Sequence, residues 1–222
     1  MDSASFAVIF DMDGVIVDSN PAHKIALQAF CKQHGHELSE QQLREKIYGR
    51  TNRDWLTNLF GQLPDEQLRA FAEEKEALYR KIYAATIAPV AGLLNFLDML
   101  AAHSVKRAIA TSAPRANVDF TLAGTGTALY FETILDDTFV SRGKPDPEIY
   151  LKTVAALQMD ARLCIVVEDS LSGIQAAQGA GCRVIGITTT HTAAELAHCD
   201  FVVEDFNGLT MKQLRQISGL EG

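Results

Sequence analysis

The 222-residue sequence lacks several features that define common structural classes. It has four scattered cysteines (Cys31, Cys164, Cys182 and Cys199) and no C-x-x-C pair, so neither a zinc site nor a disulfide framework is expected. No apolar run approaches the ~18 residues of a membrane span. The first residues also lack the basic and apolar regions of a signal peptide. These absences predict a cytoplasmic protein that does not enter a membrane.

Positive charge is also scarce. Lysine and arginine total 20 against 28 acidic residues, which gives a formal net charge of -8 and a pI of about 5.2. Such a molecule has no basic field to attract nucleic acid or anionic lipid, so neither is expected as a partner. A small anionic substrate must therefore be met by local positive charge. The composition, 47% hydrophobic and 22% charged, is typical of a globular protein, and we expect a monomer.

Short apolar runs rich in β-branched residues recur along the chain, at FAVIF (6–10), VKRAIA (105–110), LCIVVE (163–168), RVIGIT (183–188) and FVV (201–203). Helical patterns lie between most of them, at residues 92–102, 115–122, 147–157 and 171–179. Strands that alternate with helices predict an α/β fold with a doubly wound parallel sheet covered on both faces.

One long interval breaks this alternation. Residues 16–87 contain no convincing strand, and their helical patterns end in a charged helix predicted over residues 65–84. We therefore predict a helical insert at 16–87 within an α/β core formed by residues 1–15 and 88–222.

Acidic and hydroxyl side chains follow the predicted strands. Asp11 and Asp13 come directly after the first strand, Thr111 follows the second, and Glu168 and Asp169 follow the third. The carboxyl ends of parallel strands meet at one edge of a sheet, where ligands bind. We therefore expect these side chains to lie close together.

A cation would explain why acids gather there. Crowded carboxylates repel one another, and their desolvation is costly. A hard ion such as Mg2+ prefers oxygen ligands and leaves positions for a substrate phosphate. Lys144, in the loop before a proline-started helix, would add the local positive charge that an anionic substrate needs.

Each residue also has an ordinary explanation. An Asp after a strand is often a helix cap or a turn former. Glu168 and Asp169 could be first-turn acids favoured by a helix dipole, and Lys144 a solvated loop lysine. It is the joint placement at strand ends that favours a catalytic site.

Four ordered segments carry a family resemblance. DMDGVIVDS, IATSAP, RGKPDPEIY and VVEDSLSGIQAAQGAG resemble the four motifs of the haloacid dehalogenase superfamily of phosphotransferases. The insert resembles that superfamily's helical cap, and the closest subgroup is the β-phosphoglucomutase-like phosphatases and mutases. The resemblance covers essentially the whole chain and implies a Rossmann-like core.

The resemblance implies a role for each motif residue. Asp11 would be the nucleophile that forms an aspartyl-phosphate, and Asp13 the general acid and then the base. Mg2+ would be held by the Asp11 carboxylate, the Asp13 carbonyl and Asp169, with Glu168 in support. The presence of Asp13 argues against the dehalogenases and the phosphonate-cleaving members, which lack a second aspartate there.

The phosphoryl group would be held by three further residues. Thr111 and the backbone amide of Ser112 would donate hydrogen bonds to its oxygens, and Lys144 would neutralise charge beside the nucleophile. Alignment and charge neutralisation are what phosphoryl transfer mainly requires.

The resemblance also implies substrate contacts in the cap. His23 and Lys75 stand where the subgroup has a cap histidine and a cap lysine. The segment YGRTNRDW (48–55) resembles its substrate-specificity loop, with the candidate residues Gly49, Arg50, Asn52 and Arg53. For Lys75, an exposed helix face with i,i+4 pairing to glutamates is an equally good interpretation. His23 could equally be a surface histidine, and we predict a solvent-facing position for Asn117.

Two departures favour a phosphatase over a mutase. Asn52 stands where the mutases have an arginine for the distal phosphate. Ala113, Pro114 and Arg115 replace their serine, lysine and asparagine, although Arg115 remains a candidate substrate contact. We predict a Mg2+-dependent phosphatase acting on a small phosphorylated metabolite, with a phosphosugar mutase as the alternative. A receiver-type signalling domain is disfavoured because its acceptor Asp ends a middle strand, whereas Asp11 ends the first.

Overall fold

The computed structural model describes residues 6–47 and 52–220. The chain divides into an α/β unit, formed by Met1–Asp18 and Ile87–Gly222, and a helical unit, Ser19–Thr86. Within the α/β unit, the segment that precedes the helical unit is bonded to the segment that follows it. The Val90 amide donates to the Ile16 carbonyl at 2.9 Å, and Val17 forms a β-bridge with Pro89.

The α/β unit is built from strands and helices in alternation. Its strands are β1 (Ala7–Phe10), β2 (Lys106–Ala110), β3 (Thr133–Leu135), β4 (Cys164–Glu168), β5 (Arg183–Ile187) and β6 (Phe201–Val203). The helical unit contains α1 (Asn20–Gln33), α2 (Glu40–Lys46), α3 (Asn52–Phe60) and α4 (Asp65–Tyr83). The helices of the α/β unit are α5 (Leu93–Ala102), α6 (Arg115–Thr125), α7 (Glu148–Leu157), α8 (Leu171–Gly179) and α9 (Met211–Ile217).

The six strands form one parallel sheet in the order β3-β2-β1-β4-β5-β6. This is the strand order of the doubly wound Rossmann fold, and it confirms the predicted fold class. The order reverses at β1, whose neighbours are β2 and β4. The loops after these three strands therefore lie side by side at the carboxyl edge of the sheet.

Alternate residues of β1 face opposite sides of the sheet, as the two-residue period of a strand requires. Ala7 and Ile9 belong to a buried cluster with residues of α7 and α8. On the other side, the ring of Phe10 contacts Phe96, Phe131 and Phe206, with centroids 5.6–6.1 Å apart. Both faces are covered, which explains the continuous apolar character of FAVIF.

The helical unit has its own core around the ring of Phe30. Trp55 meets this ring edge-on, with centroids 5.6 Å apart, and Leu43 and Leu56 are fully buried nearby. Helix α4 buries Leu68 together with Glu76, Tyr79 and Tyr83. Burial of an acid was not expected for the charged helix predicted here.

Most predicted elements are present with boundaries within a few residues. The short strand β3 was not predicted. The prediction that Asn117 faces solvent is wrong, because only 1% of its surface is exposed on the inner face of α6. Among the described residues, no helix combines the length and apolar character needed to cross a bilayer.

Candidate active site

Asp11 lies directly beyond β1 and is 7% exposed. Its backbone amide donates to the Val167 carbonyl of β4 at 3.0 Å, which fixes the loop to the neighbouring strand. The Lys144 ammonium reaches Asp11 Oδ1 at 2.7 Å and Glu168 Oε1 at 2.6 Å. The sequence places Lys144 far from both acids, and the fold brings all three together.

Glu168 is fully buried, and both of its carboxylate oxygens accept several hydrogen bonds. Oε1 accepts from Lys144 and from the Tyr150 hydroxyl, the latter at 2.7 Å. Oε2 accepts from the amides of Asp169 and Ser170 and from the Ser170 hydroxyl. Glu168 is therefore committed to holding the loop and the lysine in place.

Two glycines make room for the acids. A Cβ on Gly173 would lie 1.8 Å from Glu168 Oε1, and a Cβ on Gly14 would lie 2.0 Å from Asp169 Oδ2. Gly14 also has a φ of 80°, which side-chain-bearing residues rarely adopt. Glycine at these two positions thus lets the carboxylates approach the backbone more closely than a residue with a side chain would.

The buried charges are unbalanced. The carboxylates of Asp11, Glu168 and Asp169 surround the single ammonium of Lys144. Burial, together with the charge of Glu168, raises the pKa of Asp169 to about 7. Burial also raises the pKa of Asp11, although Lys144 opposes this effect. The site holds more negative charge than its own lysine compensates.

Lys144 and Glu168 are each stabilised in the charged form. Burial opposes the charge on Lys144, but the carboxylates of Asp11 and Glu168 outweigh it and raise the lysine pKa. Burial likewise opposes the charge on Glu168, but Lys144 and the hydrogen bonds from Tyr150 and Ser170 lower its pKa. These two residues form a buried ion pair beside Asp11.

The donor set suits a hard divalent cation. Oxygens of Asp11, Glu168 and Asp169 lie within 4.8 Å of one another and are the kind of ligand that Mg2+ prefers. The excess negative charge is what a cation would neutralise. Since Glu168 is fully engaged with the protein, Asp11 and Asp169 are the carboxylates available to it.

The loop after β2 places Thr111 beside the acids. Thr111 is 1% exposed, its amide donates to the Leu135 carbonyl of β3, and its hydroxyl oxygen accepts from the Ala113 amide at 3.1 Å. No acceptor for its hydroxyl proton is recorded among the described residues, so this proton can be donated to a ligand. Ser112 is exposed, and Arg115 pairs with Asp119 at 2.8 Å one turn along α6.

Two groups at this edge were missed from the sequence. Tyr150 is fully buried, and its ring centroid lies 5.0 Å from Lys144 Nζ while its hydroxyl holds Glu168. Thr189 and Thr190, after β5, donate to the Gly14 carbonyl and to Asp169 Oδ2. The tyrosine could have been suspected from its place in RGKPDPEIY, whereas a run of threonines after a strand gives no distinctive signal.

In the helical unit, His23 and Lys75 lie together. Lys75 Nζ is 3.3 Å from His23 Nδ1 and 2.7 Å from Glu76 Oε1. Only 13% of the Lys75 side chain is exposed, so it does not lie on the solvated face that was the alternative interpretation. An ammonium only donates hydrogen bonds, so His23 Nδ1 is the acceptor in this contact.

The candidates in the segment 48–55 are only partly described. Gly49 and Arg50 lie outside the described residues, and of Asn52 only its position as the first residue of α3 is described. Arg53 pairs with Asp65 at 2.6 Å, and both side chains are about two-thirds exposed.

Fold and site together define a protein with a Rossmann-like sheet and a cluster of acidic side chains at its carboxyl edge. The sequence model of the haloacid dehalogenase-like hydrolases matches residues 8–187, and the chain belongs to this family. The expected family resemblance is thus confirmed.

Known proteins similar to the chain include two enzymes. The phosphorylated carbohydrates phosphatase of Thermotoga maritima is 31% identical over 82% of this chain and 84% of its own length. The β-phosphoglucomutase of Bacillus subtilis is 27% identical over 95% of this chain and 94% of its own length. A crystal structure of a HAD hydrolase, family IA, variant 3, from Entamoeba histolytica superposes with a TM-score of 0.90 at 31% identity. It covers 96% of this chain and 99% of that one.

Proposed function

We propose that the protein is a Mg2+-dependent phosphatase that hydrolyses a small phosphorylated metabolite, with phosphorylated sugars as the substrate class. Family membership and the phosphatase relatives place the chain among the phosphoric monoester hydrolases. The observation that carries the mechanism is the contact of Lys144 with Asp11 and Glu168 at the switch point of the sheet.

In this proposal, an Asp11 oxygen attacks the phosphorus and forms an aspartyl-phosphate. The departing substrate oxygen takes its proton from Asp13, and the alcohol leaves. Asp13 then removes a proton from water, which attacks the phosphorus and releases inorganic phosphate, so that Asp11 is regenerated. Asp13 is partly exposed, as an acid that exchanges protons with substrate and water should be.

The transferring oxygens are met by groups already held in place. Thr111 has a donor proton available, and the ammonium of Lys144 lies against the nucleophile to offset negative charge. Because both are fixed before substrate arrives, little reorganisation is needed in the transition state. The amide of Ser112 is the third proposed donor.

The residues that would hold Mg2+ are the Asp11 carboxylate, the Asp13 carbonyl and Asp169, with Glu168 in support. When bound, the ion would neutralise charge on the phosphoryl oxygens and help to orient them. The acid cluster supports this assignment, since its carboxylates exceed the positive charge available from Lys144.

Substrate choice is assigned to the helical unit, residues 19–86. The supporting observation is the contact of Lys75 with His23, which places an ammonium and an imidazole together in a partly buried position. Both groups donate hydrogen bonds, as recognition of hydroxyl or phosphate oxygens requires.

A phosphosugar mutase is the second candidate. The β-phosphoglucomutase of Bacillus subtilis resembles this chain along nearly its whole length, and a mutase would use the same nucleophile. Against it, Arg115 is paired with Asp119 on the surface of α6, and Ala113 and Pro114 offer a phosphate no side-chain donor.

The test is phosphate release from a panel of phosphorylated sugars, with Mg2+ and with EDTA in parallel. Wild-type protein should release phosphate only with Mg2+, and Asp11→Asn should abolish release while its circular dichroism spectrum stays unchanged. Turnover retained in Asp11→Asn would contradict the mechanism. Conversion of β-glucose 1-phosphate to glucose 6-phosphate, without phosphate release, would establish the mutase instead.

A further inference from the structure

The loop after β5 contacts both of the acidic loops at the candidate site. Thr189 Oγ1 donates to the Gly14 carbonyl at 2.6 Å, and Thr190 Oγ1 donates to Asp169 Oδ2. Gly14 belongs to the loop that follows Asp13, and Asp169 to the loop after β4. One dipeptide therefore ties together two segments that are distant in sequence.

The Asp169 side chain also lies close against Gly14. Asp169 Oδ2 lies only 2.0 Å from the position that a Cβ on Gly14 would occupy. The Asp169 carboxylate is thus confined between Gly14 and the Thr190 hydroxyl. Asp169 itself is 4% exposed, so it cannot reorient into solvent without opening this contact.

The Thr190 hydrogen bond determines which Asp169 oxygen is available. A hydroxyl that donates to a carboxylate holds its orientation and occupies one of its oxygens. Here Oδ2 receives the hydrogen bond. No hydrogen bond to Oδ1 is recorded among the described residues, so Oδ1 is the oxygen with both lone pairs available to a cation. Outer contacts of this kind orient metal ligands, and their loss typically weakens metal affinity by about 10–100-fold.

We propose that Thr190 is a positioning residue for the metal site, which holds Asp169 so that Oδ1 faces the cation, with Thr189 fixing the Gly14 loop beside it. The inference rests on the proposed function, since Asp169 is a metal ligand only within it. It goes beyond that function because Thr190 lies outside all four family motifs.

Thr190→Val is the direct test. Valine keeps the branched shape and removes the hydroxyl, and position 190 is exposed, so no core packing is lost. Titration of Mg2+ into the substrate-free full-length protein, followed by calorimetry, should give a dissociation constant about 10-fold above that of the wild type. The melting temperature in EDTA should stay unchanged, which separates lost positioning from a loosened fold.

Two variants serve as controls. Thr190→Ser restores the hydroxyl and should bind Mg2+ with wild-type affinity. Thr192→Val removes another hydroxyl from the same loop. This hydroxyl donates to Glu195 at 2.7 Å and does not contact Asp169, so the variant should also bind Mg2+ as the wild type does.

Each outcome is decisive. Wild-type affinity in Thr190→Val would overturn the proposal, and so would an equal loss in Thr192→Val, which would make the effect one of loop integrity. If the wild type binds Mg2+ but releases no phosphate from any substrate, the proposed phosphatase fails while the Thr190 comparison still stands. If the wild type does not bind Mg2+, both proposals fail.

Discussion

The rings of His23 and Tyr79 stack face to face within the helical unit, with centroids 3.7 Å apart and planes 4° from parallel. Tyr79 is fully buried, whereas His23 is partly exposed. The tyrosine therefore provides a rigid surface that fixes the histidine plane, while Lys75 contacts the Nδ1 edge of the ring.

Tyr79→Leu should destabilise the helical unit. Loss of the stacked pair and of buried volume should together lower the free energy of unfolding by about 2 kcal/mol. The protein has a single tryptophan, Trp55, which lies in the core of this unit, so urea unfolding followed by tryptophan fluorescence measures the effect. Tyr79→Phe, which keeps the ring, should unfold close to the wild type, and an equal loss in both variants would contradict the role of stacking.

Gly173→Ala should be far more harmful than Gly179→Ala, although both lie in α8. At position 173 the new methyl group would overlap Glu168, and relief of this overlap should cost about 2–3 kcal/mol. At position 179 the methyl group would only touch Pro147 at 3.5 Å, and the better helix propensity of alanine should stabilise by about 0.5 kcal/mol. Urea unfolding followed by circular dichroism compares the two, and equal effects would refute the close approach to Glu168.

Asp169→Asn should stabilise the protein in EDTA. The folded-state pKa of about 7 lies above the ordinary 3.8, so the charged form is disfavoured in the folded state. The penalty is full above pH 7 and declines as the pH falls from 7 towards 4. We expect a gain of roughly 2 kcal/mol or more at pH 8 that shrinks markedly at pH 5, measured by urea unfolding at each pH.

In Mg2+ the order of stability should reverse, with the wild type more stable than Asp169→Asn. A bound cation stabilises the folded state by RT ln(1 + [Mg2+]/Kd), and Asp169→Asn lacks a carboxylate that is proposed to hold the ion. Saturating Mg2+ should raise the melting temperature of the wild type and leave that of the variant nearly unchanged. If Asp169→Asn is no more stable than the wild type in EDTA at pH 8, the result would argue against a buried excess of negative charge.

Cys164 and Cys182 should resist alkylation in the folded protein. Burial raises their pKa values to about 11 and about 12, so almost no reactive thiolate is present near neutral pH. Iodoacetamide at pH 8 should modify them only after denaturation, with peptide mass spectrometry as the measurement. Burial also raises the pKa of Cys199 to about 11, but this thiol is partly exposed and should react earlier because the reagent can reach it. Labelling of Cys164 at the same rate would contradict the prediction.

The sequence predicted the parallel sheet and the edge where the acids meet, because strand ends are local features. Asp11, Thr111 and Glu168 each follow an apolar run, and the order of a doubly wound sheet brings such ends together. The strand β3 was not predicted because its three residues, two half-buried and one buried, are too few to show a period.

The residue positions that the sequence did not predict depend on tertiary contacts. Asn117 is polar and helical, so a solvent-facing position was predicted, but the sheet side of α6 buries it. Thr190 has an ordinary loop composition, and its importance appears only when the end of β5 is seen beside Asp169. Glu76 is an acid in a charged helix, and its burial could not be read from periodicity.

The bridge between Val17 and Pro89 has an evolutionary consequence. Because the two ends of the insert are fastened to each other inside the α/β unit, the sheet does not need any particular sequence between them. A lineage could exchange or remodel residues 19–86 while the strands, Asp11 and Lys144 stay in register. Under the proposed assignment of substrate choice to the helical unit, selection on the substrate would be separated from selection on the reaction.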